Sequence, residues 1–231
     1  MGVEVINGNI FNSKCDFLVN PVNCDGVMGA GLALEFKLRY PEMFIKYETL
    51  CEEKKLDIGL LWIYKSELKS ILNFPTKVSW KYPSKESYLH QGLKKFVDTY
   101  QSRNIRSIAF PILGGGRGGI DGDVSLAIMK SYLSELNIDI EIYDYSVTAN
   151  DDLYIEFARN ITPLSSEQIS AESGVKVIYI ERILEAIKEN RIYQLNQLLS
   201  IQGVGIKTVE KIFAYSQKLD NLVQQSDFFS L

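Results

Sequence analysis

Phe17-Leu-Val-Asn20-Pro-Val-Asn23-Cys-Asp-Gly26-Val-Met-Gly29-Ala-Gly31 is the stretch on which the fold turns. Three apolar, strand-like residues run into a loop of Asn and Gly, and Gly31 to Arg39 then has the spacing of a helix. Strand, glycine-rich turn and helix in that order form the repeating unit of a parallel α/β sheet, with the turn at the carboxyl edge of the strands. The arrangement recurs twice. Ile71-Leu-Asn-Phe74 runs into Pro75-Thr-Lys77, and Ile108-Ala-Phe110 runs into Pro111-Ile-Leu-Gly114-Gly-Gly-Arg117-Gly-Gly119.

Working outward, Val3–Ile6 and Asp16–Val19 read as strands, as do Leu60–Tyr64, Ser70–Phe74, Ser107–Phe110 and Ile138–Tyr143. Helices are expected at Gly31–Arg39 and Pro41–Glu53, from Pro83-Ser84 onward through Leu89, Leu93, Phe96, Val97 and Tyr100, and at about Asp123–Leu136. After Tyr145 the strand pattern stops. Asp151–Arg159, Ser165–Ala171, Val175–Glu189, Arg191–Leu199 and Ile206–Gln217 look helical, with Val175–Ile180 ambiguous between helix and strand. A domain boundary is therefore expected near residues 146–150, giving an α/β domain at 1–147 and a small all-α domain at 148–231.

The composition suits a soluble globular protein: 231 residues, 46% apolar and 23% charged. Its net charge of −4 divides unevenly, with 17 basic and 18 acidic residues in 1–149 and 8 and 11 in 150–231. No apolar run reaches the ~18 residues of a membrane span, and nothing at the N-terminus reads as a secretory signal. Cys15, Cys24 and Cys51 have neither metal nor redox spacing, which points to a reducing cytoplasm. His90 is the single histidine, so multi-histidine metal sites are excluded and no metal or cofactor is expected. Any Ser/His or Cys/His mechanism would depend on that one residue, so if the chain is an enzyme its chemistry is expected to run on carboxylates, amides, lysine or backbone.

Glycine lets backbone N–H groups approach an anion closely, and a helix start adds a favourable dipole. Two such loops on one sheet edge suggest a ligand with two phosphates, although either loop alone is as well explained by tight turns. Neither loop carries the Gly-Lys-Ser/Thr ending or the Gly-x-Gly-x-x-Gly opening of common nucleotide sites.

Asn7-Gly-Asn9-Ile10, Val19-Asn20-x-x-Asn23 through Met28-Gly-x-Gly31, and Gly114-Gly-Gly-Arg-Gly-Gly119 resemble a macrodomain, the ADP-ribose-binding fold, over about residues 1–145. The resemblance implies a three-layer α/β/α sandwich with a mixed, mostly parallel sheet. Gly26-Val-Met-Gly-x-Gly-Leu-Ala-Leu-Glu-Phe36, Arg39-Tyr-Pro-Glu-Met-Phe44, Leu72-Asn-Phe-Pro-Thr-Lys77 and Gly92-Leu-Lys-Lys-Phe-Val97 narrow it to the DNA ADP-ribosyl glycohydrolases. These are the DarG-type antitoxins that reverse DarT-type toxins. The resemblance implies catalytic roles for Lys77 and Asn23. It implies ADP-ribose binding by Asn9, Ile10, Asn20, Gly26, Val27, Met28, Gly29, Gly31, Pro111, Gly114, Gly115, Gly116, Arg117, Gly118 and Gly119. Asn9 stands where many macrodomains have an aspartate for the adenine amine, which its amide oxygen can still meet without charge assistance.

The chain also departs from its relatives' patterns. A macrodomain subgroup that cleaves amino-acid esters pairs its lysine with an aspartate in the second glycine loop, where this chain has Arg117-Gly118. Gly115 replaces a common cysteine, and Ala30 stands where close relatives often have lysine.

Cleaving an N-glycosidic bond builds oxocarbenium character on the ribose and negative charge on the leaving base. A lysine ammonium can protonate that base, whereas a desolvated amine can attack the anomeric carbon. By spacing alone Lys77 is an ordinary surface lysine; the resemblance gives it a role. Trp80, in Val78-Ser-Trp-Lys-Tyr82, is expected to stack on a DNA base or simply to pack. Trp62 is expected in the core and His90 at a surface boundary.

In the tail, Gly203-Val-Gly205-Ile-Lys207 between aliphatic flanks resembles a helix-hairpin-helix motif spanning about 195–217. The resemblance implies that Gly203, Gly205 and Lys207 hold a DNA phosphate, against the tail's acidic balance. The expected function is release of ADP-ribose from ADP-ribosylated DNA, with thymidine in single strands as the implied substrate and a DarT-type toxin as a partner. The competing expectations are an ADP-ribose reader tethered by its tail, and a hydrolase of protein-linked ADP-ribose.

Overall fold

The computed structural model describes residues 2–66 and 69–228, with side-chain surroundings through residue 219. Six strands form one sheet: β1 (Gly2–Gly8), β2 (Phe17–Asn23), β3 (Trp62–Tyr64), β4 (Ser70–Lys77), β5 (Ser107–Pro111) and β6 (Asp139–Tyr145). Their order is β1-β6-β5-β2-β4-β3. Every neighbouring pair is parallel except β3 with β4, which is antiparallel.

Period-two alternation divides the strand side chains between two cores. Phe17, Val19, Leu72, Phe74, Ile108 and Phe110 point to one face, under α3 (Glu86–Thr99) and α4 (Gly122–Leu133). Leu18, Val22, Ile71 and Ala109 point to the other, under α1 (Gly31–Arg39) and α2 (Pro41–Glu52). Helices on both faces complete the expected three-layer sandwich. α3 crosses the sheet closely at Gly92, where a Cβ would sit 2.2 Å from Phe74 Cζ.

Two stretches read as loops are strand. β2 continues through Asn20-Pro21-Val22-Asn23, and β4 continues through Pro75-Thr76-Lys77. Proline lacks an N–H, but β2 pairs with β5 only at Phe17 and Leu18, so Pro21 lies beyond the doubly bonded part of the strand. Between Val22 and Asn23 the register slips by one residue, which sets Asn23 opposite Lys77. Such bulges re-aim side chains at a strand end. Other boundaries shift modestly. α3 begins at Glu86 rather than at Pro83-Ser84, and α4 runs from Gly122 to Leu133, capped by Asp121, whose carboxylate accepts from the Asp123 and Val124 amides.

The chain divides into two compact units, Met1–Ser146 and Val147–Leu231. The second contains α5 (Asp152–Ile161), α6 (Ser166–Ser173), α7 (Val177–Lys188) and α8 (Ile206–Phe228). Ser165 and Gln168 form a reciprocal capping box at the start of α6. The ambiguous Val175–Ile180 stretch resolves as the approach to and start of α7. The helix expected at Arg191–Leu199 is instead a short 3₁₀ segment, Leu195–Ser200. The buried Asp151 carboxylate accepts from the Leu195 amide (3.4 Å) as well as capping α5, and Leu195 and Leu198 enter the core.

Candidate functional site

The carboxyl ends of β2, β4 and β5 each deliver one part of the site. From β2 comes Asn23, whose side chain organises the first glycine loop. Its Oδ1 accepts from the Asp25 amide (3.0 Å), the Val27 amide (3.3 Å) and the Tyr47 hydroxyl (3.1 Å). Its Nδ2 donates to the Val27 carbonyl (2.6 Å). Tyr47, buried on α2, also donates to the Asn23 carbonyl at 2.7 Å. Asn23 is thus committed to shaping the loop that leads into α1. That helix starts at Gly31 behind Ala30, which makes no side-chain capping bond, so the helix dipole faces the loop without a capping side chain.

From β5 comes the second loop. Gly114 has φ +68° and lies so close to its surroundings that a Cβ would meet Ile120 Cδ1 at 2.8 Å. Only glycine satisfies both the left-handed backbone and the contact. Gly116 also has positive φ and no atom within 4 Å of its Cβ position, so its backbone is open to a ligand. Gly116–Gly118 forms a 3₁₀ turn tied to the segment just before α3, where the Ser84 amide donates to the Gly118 carbonyl (2.8 Å).

From β4 comes Lys77. Its Nζ donates to the Arg117 carbonyl at 2.6 Å, joining the end of β4 to the second loop. Arg117 in turn reaches the first loop, with its Cδ 3.7 Å from where a Gly31 Cβ would stand. Burial, and then the nearby Arg117 guanidinium, hold the Lys77 amine below its usual pKa. The neighbouring thiols are unsuited to nucleophilic work. Burial, followed by Asp57, pushes Cys24 up to about 12, and burial raises Cys51 as well.

Of the other residues singled out in the sequence, some are buried and some exposed. Asn20 is completely buried on the α1/α2 face, where its Nδ2 donates to Asn73 Oδ1 (2.9 Å) beside Met28. It clasps β2 to β4 from within the core rather than facing the edge. Met28 and Ile10 are buried too, whereas Val27 is exposed. Asn9 is 3% exposed and its Oδ1 caps the Ile10–Asn12 turn by accepting from the Phe11 amide (3.1 Å). Trp80 is 54% exposed just past Lys77. Trp62 is half-buried against the α1/α2 core, and His90 Nδ1 pairs with the Tyr132 hydroxyl at 3.0 Å. In the second unit, Val204 is buried while Gly203, Gly205 and Lys207 are exposed. Gly203 (φ +81°) packs where a Cβ would meet the Tyr179 ring at 2.7 Å.

Tyr47, Asp25, Ser79 and Ser84 were not singled out in the sequence. Tyr47 reads as one more core aromatic on α2, and its bond to Asn23 spans 24 residues, beyond any local pattern.

Two glycine loops at the carboxyl edge of this sheet suit a macrodomain, and a family model described as Macro domain matches residues 19–129. The macrodomain of Thermus aquaticus DarG matches with a TM-score of 0.59 at 35% identity, covering 62% of this chain and 97% of that one. The chain belongs to the macrodomain family. Within it, the chain is similar to the DNA ADP-ribosyl glycohydrolase of Mycobacterium tuberculosis, at 40% identity over 142 residues, 59% of this chain and 40% of that protein. Thermosipho africanus DarTG, solved in complex with ADP-ribose, matches with a TM-score of 0.60 at 31% identity, covering 65% of this chain and 43% of that one. The chain thus spans less than half the length of these full-length relatives.

Proposed function

We propose that the first unit binds ADP-ribose between its two glycine loops and releases it from ADP-ribosylated DNA, with Lys77 as the catalytic residue. The observation that carries this is the Lys77 amine. It is partly desolvated, held at the groove by the Arg117 carbonyl, and kept below its usual pKa. A lowered pKa favours the free amine, whose lone pair attacks the anomeric carbon as the bond to the base breaks. The electron pair leaves on the base, which takes up the proton that the lysine nitrogen sheds on bonding to carbon, and water then hydrolyses the sugar–lysine adduct to give free ADP-ribose and regenerate the amine. Asn23 acts as a positioning residue, shaping the loop for the distal ribose. The glycohydrolase names of the relatives support the DNA substrate. Thymidine in single strands is the form the resemblance implies.

A DarT-type toxin is the proposed partner, supported by the Thermosipho relative's description as a transferase–glycohydrolase fusion. Gly203, Gly205 and Lys207, exposed around the buried Val204, are proposed to contact DNA phosphate. A cytoplasmic location agrees with three free cysteines and with the lack, among the described residues, of a helix able to cross a membrane.

The test is to incubate the chain with ADP-ribosylated DNA and ADP-ribosylated protein side by side. Release from DNA is expected, and Lys77→Ala abolishes it while ADP-ribose affinity stays within severalfold. Release from protein alone overturns the substrate assignment, and turnover by Lys77→Ala overturns the catalytic one.

A further inference from the structure

The segment that follows Lys77 is exposed yet tied down at both ends. Val78, Trp80 and Tyr82 are 48%, 54% and 68% exposed, an unusual amount of apolar and aromatic surface for five residues. At the near end the Cys24 amide donates to the Lys77 and Val78 carbonyls (3.1 and 3.2 Å). At the far end the Ser84 amide donates to Gly118 in the second glycine loop. In the middle, Asp25 Oδ2 accepts from the Ser79 hydroxyl (2.5 Å) and the Trp80 amide (3.1 Å). A turn closes with the Tyr82 amide donating to the Ser79 carbonyl (3.2 Å). The Asp25 amide is itself bound to Asn23 Oδ1, so one continuous series of bonds runs from Tyr47 on α2 through Asn23 and Asp25 to Trp80.

We infer that Val78–Tyr82 is a platform for the single-stranded DNA flanking the modified nucleotide, and that Asp25 is the positioning residue that sets it. The inference rests on the DNA reading proposed above. Three observations identify the occupant. Exposed aromatic faces stack on unpaired bases and cannot reach bases inside a duplex. Lys81 lies within the stretch and Lys85 just beyond it, both exposed, and Lys81 Nζ stands over one face of the Trp80 ring, 5.7 Å from its centroid; the charge suits a phosphate backbone, and a stacking base takes the other face. The platform begins one residue after the amine proposed to attack the sugar, so a strand lying on it carries its modified nucleotide to Lys77. A small ligand confined between the glycine loops has no use for such a rim. Asp25 makes the platform rigid before binding, which reduces the ordering cost of association.

The experiment compares the 231-residue chain with Asp25→Ala, Asp25→Asn and Trp80→Ala on two substrates. One is an ADP-ribosylated single-stranded oligonucleotide, and the other is the same modified base on a mononucleotide. The wild-type chain is expected to prefer the oligonucleotide in kcat/KM. Asp25→Ala and Trp80→Ala lower that preference by about tenfold, through KM on the oligonucleotide. Asp25→Asn keeps most of it, because an amide oxygen can accept both bonds. Equal losses on the two substrates, or an unchanged preference, overturn the platform. A second arm uses unmodified single-stranded oligonucleotide as the probe and tryptophan fluorescence as the readout. Trp80 is expected to be quenched in the wild-type chain and much less in Asp25→Ala; equal quenching in both overturns the role of Asp25. If the wild-type chain releases nothing from either substrate, the glycohydrolase proposal fails, and the fluorescence arm still decides the platform.

Discussion

Lys77 Nζ donates to the backbone carbonyl of Arg117 at 2.6 Å, so the amine and the second glycine loop hold each other in place across the groove. The same Arg117 contributes a like charge that disfavours the ammonium form of Lys77, after burial has already done so. One residue thus fixes the position of the amine through its main chain and adjusts its protonation through its side chain.

The pH profile should register this arrangement. Removing the guanidinium in Arg117→Met leaves the main-chain carbonyl in place and raises the Lys77 pKa toward its ordinary value. A free-amine nucleophile is active above its pKa, so kcat rises with pH through that limb, and the limb moves to higher pH in the variant. Activity at neutral pH falls accordingly. The measurement is kcat against pH for release from ADP-ribosylated DNA. A limb that falls as pH rises through the Lys77 pKa would show the amine acting as an acid instead.

Tyr47→Phe removes one buried hydroxyl that donates to both the carbonyl and the side chain of Asn23. The loss in stability is expected to be about 0.5–1.5 kcal/mol, typical of one buried hydrogen bond. Because those bonds hold the first glycine loop, ADP-ribose affinity should also weaken, whereas a purely structural hydroxyl would change stability alone. Chemical denaturation and calorimetric titration with ADP-ribose separate the two effects. Unchanged affinity in a folded variant would detach Tyr47 from the site.

The sheet and its two covering layers could be read from alternation. Phe17 and Val19 point one way and Leu18 the other, and both sets are apolar, as expected for strands buried on both faces. The strand ends could not be read that way. Asn20, Pro21 and Pro75 look like loop residues locally, and only parallel pairing with a neighbour keeps them extended. The same blindness affected the site. Asn23 and Lys77 stood out by resemblance, but the bulge that sets them opposite each other depends on a register that no single strand contains. Asn20 shared a segment with Asn23 and was expected beside it. Its core-facing side follows from period-two alternation once the strand is seen to continue.

Gly92→Ala tests the closest approach in the α/β unit. Helix propensity alone favours alanine by about 1 kcal/mol. Here its Cβ would stand 2.2 Å from Cζ and 2.4 Å from Cε1 of the buried Phe74 ring. The ring or α3 must move, and overpacking of this kind costs roughly 1–3 kcal/mol. Net destabilisation is therefore expected by thermal or denaturant unfolding, and relief should come from a smaller residue at position 74. A variant as stable as the parent would show that α3 can shift freely over the sheet.

The tail carries the contact with the weakest electrostatic support, and its test is ionic strength. Residues 150–231 hold 8 basic and 11 acidic side chains, so long-range attraction to DNA is unfavourable there. A hairpin contact must therefore rest on a few local groups: Lys207, exposed just inside the start of α8, and Arg182, whose Nη1 donates to the Gln202 carbonyl (2.7 Å). If Lys207 meets a phosphate, Lys207→Gln in the chain with both units weakens binding to unmodified duplex DNA and flattens log K against log salt by about one unit. The loss should be the same for unrelated sequences, since a phosphate contact reads no bases. An unchanged slope would mean that Lys207 does not meet a phosphate, and the same result for Arg182→Gln would take the hairpin off DNA altogether.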